Sequence, residues 1–311
     1  MINYVEFQLG DRKAAGELTP LTFVTGTGKS FLINSIYRIL ANIGNKIPKL
    51  YYDNFLITIT IKERKFTLQK NRNIYRQILE GGGKRIVFEH GVVKGTAINR
   101  ISEPFELTIK NADILMPFVE VNEHVSILAD EEIESVNKIV EEFRSAFSLK
   151  VVLLGPYLDP RSSYDLSKAT ATLKPDGRNL VGILSMLALR DPDAYDRLRG
   201  LFRKKGVKLA VGLSRKGLLA GYAYINGVRI PISRLPCSLK AALVVTTAVA
   251  TKPDLLLVDN FDYCFNEQLA DVLSRYIDEQ ISRGQIVAEL HRSDIAELFK
   301  TQYKSVLSIS L

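Results

Sequence analysis

Apolar and polar side chains alternate along residues 2–9, INYVEFQL, and predict a strand at the start of the chain. A buried strand follows at Leu21–Val24. Leu32, Ile33, Ile36, Ile39 and Leu40 then recur at helical spacing, predicting a helix over Phe31–Ile43 with Gly44 as its C-cap. From residue 50 to 121 the period returns to that of a strand. Runs at Phe55–Ile61, Lys65–Leu68, Ile86–Glu89, Phe105–Ile109 and Ile114–Met116 are separated by turn signals at Gly81–Gly83, His90-Gly91 and Lys110–Asp113. They predict an antiparallel β lobe inserted after the first helix. Glu131–Phe147 reads as an amphipathic helix with Ile133, Val136, Ile139, Val140 and Phe143 inward. It sustains no heptads and is no coiled coil.

The second half alternates helix and strand. Val151–Leu154 is a buried strand, and a surface loop runs from Gly155 to Ser163 and on through Lys174–Gly177. Helices are predicted over Asn179–Leu189 and from Pro192. A hairpin over Val207–Leu213 and Leu218–Ile225 follows, with Asn226-Gly227 turning into Val228–Ile232. Helix Ser238–Thr251, strand Leu255–Val258, helix Asn266–Ile281, strand Gln285–Leu290, helix Ser293–Lys300 and strand Ser305–Leu311 complete the chain. Apolar strands alternating with helices predict an α/β fold with a mostly parallel central sheet covered on both faces.

Composition adds limits. A chain of 311 residues, 46% hydrophobic and 24% charged, is that of an ordinary soluble protein. No apolar run reaches the roughly 18 residues of a membrane span, and the first residues lack the regions of a signal peptide. A cytoplasmic protein without membrane contact is expected. Cys237 and Cys264 have neither CxxC spacing nor a neighbouring His, so neither zinc nor a disulfide framework is expected. The net charge of +8 fits either a charge-rich surface or contact with a polyanion such as DNA. No aromatic-plus-basic nucleic-acid motif accompanies it.

The candidate chemistry starts at Thr25-Gly26-Thr27-Gly28-Lys29-Ser30, between a strand and a helix. Backbone amides and the positive end of a helix dipole make a phosphate cradle there. Lys29 adds charge at the β- and γ-phosphates, and the Ser30 hydroxyl is a Mg²⁺ ligand. The full pattern is G-x-x-x-x-G-K-[ST], and Phe23 occupies its first Gly position. Leu255–Asp259 is an apolar strand ending in a carboxylate suited to Mg²⁺, and one helix and strand later His291 ends another strand.

In order and spacing these segments resemble the ABC-type ATPase heads of the SMC, RecF and OLD-like group. Thr25–Ser30 resemble the end of Walker A, Leu255–Asp259 Walker B, Leu235–Lys240 the signature, Asn266–Leu269 the D-loop and His291 the switch. Gly155-Pro156-Tyr157 and Asp176–Leu180 also resemble the RecF/OLD-like members. The resemblance implies one P-loop head. Its core would span residues 1–49 and 150–311, with a helical signature region near 178–251. Residues 50–121 would form the β lobe, accompanied by a helix at 130–148. It also implies ATP and Mg²⁺ as cofactors, a homodimer that sandwiches nucleotide, and action on DNA or on a separate effector protein.

Three departures bear on turnover. Phe23 or a shortened loop leaves fewer amides around the β-phosphate. Asn260 stands where the family has its catalytic Glu, and an amide cannot take a proton from water. Asp262 is the nearest substitute. Pro236 and Cys237 replace the first signature residues, leaving Ser238 to offer a hydroxyl and an amide. Gln69 is the candidate for the family's Mg²⁺-contacting Gln, with an exposed strand residue as the alternative reading. A slow ATPase is expected, with a non-hydrolysing nucleotide-dependent scaffold as the alternative.

Overall fold

The computed structural model describes residues 1–26, 28–45, 47, 54–93, 96–103, 107–108, 130–168, 170–265, 269–292, 294, 295, 297, 299 and 306–310. The chain divides into two units, residues 1–150 with 307–311, and residues 151–306.

In the first unit, β1 (Tyr4–Leu9) turns at Gly10-Asp11 into β2 (Arg12–Glu17). β3 (Leu21–Thr25) leads to α1 (Lys29–Leu40). β4 (Asn54–Ile61), β5 (Arg64–Asn71), β6 (Ile74–Gly81), β7 (Lys84–Val93), β8 (Thr96–Glu103) and β9 (Leu107–Thr108) follow. They form one antiparallel sheet in the order β2-β1-β4-β5-β6-β7-β8-β9. The chain's first two strands thus belong to the same sheet as the strands after α1, because Tyr4–Leu9 pair with Phe55–Thr60.

Alternation explains which face is covered. Phe55, Ile57, Ile59 and Ile61 are buried, and so are Phe66 and Leu68 across from them. α2 (Asp130–Phe147) buries Val136, Ile139, Val140, Phe143 and Phe147. Phe147 meets Phe66 edge-on at 6.0 Å. Gln69 is half-buried in β5 and lines a recess of about 340 Å³ with Gln8, Lys70 and Arg72.

Several boundaries differ from the periodicity. α1 ends at Leu40, and Gly44 lies in the turn beyond it rather than at its cap. His90-Gly91 is no turn: Gly91 pairs with Ile74 on one side and Ile98 on the other. Phe105-Glu106 and residues 109–129 lie outside the described residues, and with them the expected strand at Ile114–Met116.

The second unit begins with β10 (Val151–Leu154) and β11 (Ser163–Tyr164), then α3 (Leu180–Arg190) and α4 (Pro192–Lys204). β12 (Val207–Leu213), β13 (Leu219–Ile225) and β14 (Val228–Pro231) form an antiparallel sheet with β11. The Asn226-Gly227 turn has both residues at positive φ, 50° and 80°, as a type I′ hairpin requires. α5 (Cys237–Ala250), β15 (Leu255–Val258), α6 (Ala270–Ile281) and β16 (Gln285–Glu289) follow, and β17 (Val306–Ser310) closes the chain.

β10, β15 and β16 run parallel, in register from Val151–Leu255–Gln285 to Leu154–Val258–Ala288. Every residue of these three strands is buried, as expected of a sheet covered on both faces. The chain is therefore α/β, with both a parallel sheet and a large antiparallel one. α5 is apolar nearly all round and buries Ala242–Ala250, so it is a core helix packed on α3, α4 and α6. Of the expected helix at Ser293–Lys300, positions 293, 296, 298 and 300 lie outside the described residues.

Candidate functional site

In the first unit β3 stops at Thr25 and α1 starts at Lys29. Phe23 is 0% exposed in the middle of β3 and is a core residue. The strand therefore runs through the place where a full-length phosphate loop would already have left it. Three positions separate the strand from the helix. Gly26 and Gly28 take φ of 93° and 91°, a backbone that side-chain-bearing residues resist. Among the described residues nothing stands within 4 Å of a Cβ added at Gly28, so backbone conformation selects glycine there. Gly28 is the N-cap of α1, and its carbonyl accepts from the Leu32 amide at 3.1 Å.

The amides of a first helical turn have no partner within the helix, and no acidic side chain stands in the first turn of α1 to compete with an anion. Lys29 is half-buried and Ser30 exposed. Thr27 lies outside the described residues. A left-handed glycine pair, a Lys and a hydroxyl at a helix start fit phosphate, and the Ser30 oxygen is a hard ligand of the kind Mg²⁺ takes.

In the second unit β15 runs into a chain of turns. The Asp259 amide donates to Leu154 O at 2.8 Å and extends the parallel ladder by one residue. This sets the Asp259 carboxylate, 3% exposed, at the strand end. Asn260 follows at φ 63°, a left-handed geometry that Asn tolerates better than Glu. Tyr263 N donates to Asn260 O and Phe265 N to Asp262 O, both at 3.1 Å.

Asp262 is 5% exposed, and its Oδ2 accepts from the amides of His291 at 2.8 Å and Arg292 at 2.5 Å. The carboxylate is turned toward the chain after β16 and holds it to the turn. His291 is therefore placed through its own backbone, with a side chain 51% exposed whose Nε2 lies 3.0 Å from Glu289 Oε1. Glu289 itself is 2% exposed. The sequence reading missed Glu289. Its signal was a single carboxylate inside the otherwise apolar run Ile286–Leu290.

Ser238 is the second residue of α5, half-buried behind Pro236 as N-cap. Beside it the expectation about cysteine fails: Cys237 and Cys264 form a disulfide with their Cα atoms 5.6 Å apart. The pair joins a helix start to a turn 27 residues later, which β15 brings back beside α5. Spacing along the chain carries no sign of this, because the two cysteines meet only once helix and strand have packed.

The two further segments that resembled the RecF/OLD-like group also converge. Gly155 N donates to Pro175 O at 2.7 Å and Asp159 N to Asp176 O at 2.8 Å. Gly155, Tyr157, Lys174, Asp176 and Arg178 line a recess of about 470 Å³ there. Buried Asn179 fixes the second segment. Its Oδ1 accepts from Lys174 N, and its Nδ2 donates to Thr170 Oγ1 and Thr172 O. The expected D-loop residues Asn266–Gln268 lie outside the described residues.

A basic face occupies another part of this unit. Arg197, Arg199, Arg203, Lys204, Lys205 and Lys208 are all exposed along α4 and into β12. Arg199, Arg203 and Lys208 line a recess of about 540 Å³ in which Asp196 is the only acidic lining residue. Lys208, Tyr224 and Arg229 stand directly opposite one another across β12, β13 and β14. The Arg229 guanidinium lies 3.6 Å from the centroid of the Tyr222 ring. One aromatic and two basic residues thus form a row across three strands.

Neither a protein-family profile nor a curated protein matches the chain. Among solved structures it is similar to an SMC head bound to the C-winged helix domain of ScpA, at 13% identity over 94% of this chain and 90% of that one, with a TM-score of 0.46. It is also similar to an SMC head domain from Thermotoga maritima, at 11% identity over 95% and 91% of the two chains and a TM-score of 0.41. An Smc head domain with an extended coiled coil, bound to the C-terminal domain of ScpA derived from Pyrococcus furiosus, gives 11%, 95%, 91% and 0.42. At such identities and scores these likenesses assign neither fold nor activity to this chain.

Proposed function

We propose that the chain is an ATP-binding head of the ABC type, with Lys29 and Ser30 on the phosphates and Ser30 and Asp259 as the protein ligands of Mg²⁺. The observation that carries this reading is the left-handed pair Gly26 and Gly28 directly ahead of Lys29 at the first position of α1. Thr25 to Gly28 supply backbone in this reading, and Ser238 supplies a hydroxyl and an amide to the nucleotide of a second copy. Bound Mg²⁺ would neutralise charge on the β- and γ-phosphate oxygens.

Turnover is slow in this reading. Asn260 orients water without accepting its proton, and Asp262 is engaged with two backbone amides. His291, held beside Glu289, contacts the γ-phosphate. Loss of a general base costs about 10²–10⁴-fold in rate. A second reading, a nucleotide-dependent scaffold that does not hydrolyse ATP, is favoured by the left-handed backbone at Asn260.

Titration calorimetry with Mg-ATP, light scattering and phosphate release on the same samples separate the two. ATP-dependent dimers with slow phosphate release, lost in Lys29→Ala, support the ATPase. Dimers without release support the scaffold, and no ATP affinity sinks both.

The same reading gives the head a polyanionic partner, and the Arg199, Arg203, Lys208, Tyr224 and Arg229 face supports DNA in that role. Phosphate contacts release counterions, so affinity should fall steeply with salt. Arg203→Glu with Lys208→Glu should weaken binding and flatten that slope in fluorescence anisotropy. An unchanged slope would point to an effector protein as the partner.

A further inference from the structure

We propose that Cys237–Cys264 is a thiol–disulfide exchange site, at which a dithiol reductant sets how firmly the amino end of α5 is fastened to the turn after β15. These are the chain's only cysteines, so the pair has no competing partner. Cys237 is exposed and Cys264 half-buried, which gives an incoming thiolate an open sulfur to attack.

The chemistry closes without another reactant. The reductant's first thiolate attacks Cys237 Sγ, the Sγ–Sγ bond breaks, and Cys264 leaves as a thiolate that takes a proton. The reductant's second thiol then attacks its own sulfur in the mixed disulfide and expels Cys237. The reductant ends as a disulfide, oxidised by two electrons, and the chain ends with two thiols. Cys237 is the first residue of α5, where first-turn amides stabilise a departing thiolate. The same class of compound in its disulfide form runs the steps backward.

Three features make exchange consequential without unfolding the unit. The turn keeps its own bonds, Tyr263 N to Asn260 O and Phe265 N to Asp262 O, and Asp262 still holds the chain at His291 and Arg292. The start of α5 is less secured: its N-cap Pro236 makes no side-chain hydrogen bond, and no acidic residue stands in its first turn. Cys264 also sits at φ 60°, a left-handed geometry unfavourable for Cys that reduction frees to relax.

Ser238 follows Cys237 directly, so on the nucleotide-binding reading above the exchange also tunes the contact offered to a second copy's nucleotide. The exchange itself does not rest on that reading.

The test uses the full chain, oxidised or treated with dithiothreitol under native conditions. Maleimide-polyethylene glycol gel shifts read the cysteines and hydrogen exchange reads the amides. Native reduction should go to completion, and protection of the α5 amides from Lys240 onward, the first bonded within the helix, should fall about tenfold or more while β15 and β16 keep theirs. The Cys237→Ser, Cys264→Ser double variant should match the reduced protein and ignore the reductant. A disulfide reduced only after denaturant is added, or equal protection in both states, overturns the proposal. The native reduction needs no variant to fold. ATP affinity measured in both states keeps the two readings apart, since its absence in both would count against nucleotide binding alone.

Discussion

The amino ends of α1 and α5 face the same difficulty, first-turn amides with no partner inside the helix, and meet it differently. α1 begins from left-handed Gly28, with Ser30 exposed and no side chain capping it. α5 begins from Pro236 at φ −50° and ψ 147°, and its first residue is covalently joined to the turn after β15. The first end is set by glycine backbone, the second by a covalent tie. Substitutions at α1 should therefore act on ligand affinity, and those around α5 on stability and placement.

Lys29→Ala is the most damaging test of that contrast. Calorimetry should show ATP affinity falling about 10–10²-fold, the scale of one hydrogen bond to a charged group. An equal loss in Ser238→Ala would erase the distinction between the two ends. Cys264→Ser, in turn, should lower unfolding stability by about 2–4 kcal/mol in non-reducing buffer and leave it nearly unchanged under reductant. Chemical denaturation in both buffers measures this, and Lys29→Ala run alongside should stay near the wild-type midpoint.

Asp262→Ala sharpens the picture of the turn to which α5 is tied. It leaves two amides near His291 and Arg292 without their acceptor and should cost about 1–3 kcal/mol. Hydrogen exchange at residues 291–292 should rise at the same time. A stable variant with unchanged exchange would remove Asp262 from its holding role.

The smallest effect concerns α4, whose amino end is capped in the ordinary way. The Lys252 ammonium, and then the Ala194 amide, hold the Asp191 carboxyl below the usual range. A lowered folded pKa contributes stability that is present above the unfolded value, about 3.9, and lost as pH falls through the folded one. Acid unfolding of Asp191→Asn should begin with that part of the slope already missing.

Much of this was legible along the chain. β10 and β15 stand out because four consecutive apolar residues bury on both faces, and α2 because its apolar positions recur every third or fourth residue. Asn226-Gly227 announces its hairpin through the backbone it requires. β2 was not legible, since Arg12–Glu17 is an edge strand with mostly exposed side chains and carries no apolar alternation. β6 hides in the mixed run Ile74–Gly81, which is a strand because β5 and β7 flank it.

Among the candidate residues, Lys29 and Ser30 in the first unit and Asp259 and His291 in the second were marked by local sequence, whereas Glu289, the disulfide and the Lys208–Tyr224–Arg229 row were not. Those depend on residues that only packing makes neighbours. The length of the connection between β3 and α1 falls between the two. Phe23 marked a departure, but only its burial within β3 shows that the strand is extended rather than the loop distorted.

The junction between α6 and β16 limits how this unit can vary. Buried Gln280 donates from Nε2 to Pro253 O at 2.8 Å, and Gly284 N donates to Gln280 O at 2.7 Å. A Cβ at residue 284 would lie 2.7 Å from Asp254 O and 2.6 Å from Gln280 Nε2. Backbone cannot yield there as a flexible side chain could. Natural drift at position 284 should thus be nearly closed, and an insertion that lengthens this connection would slide β16 against β15 and carry Glu289 and His291 away from Asp259 together.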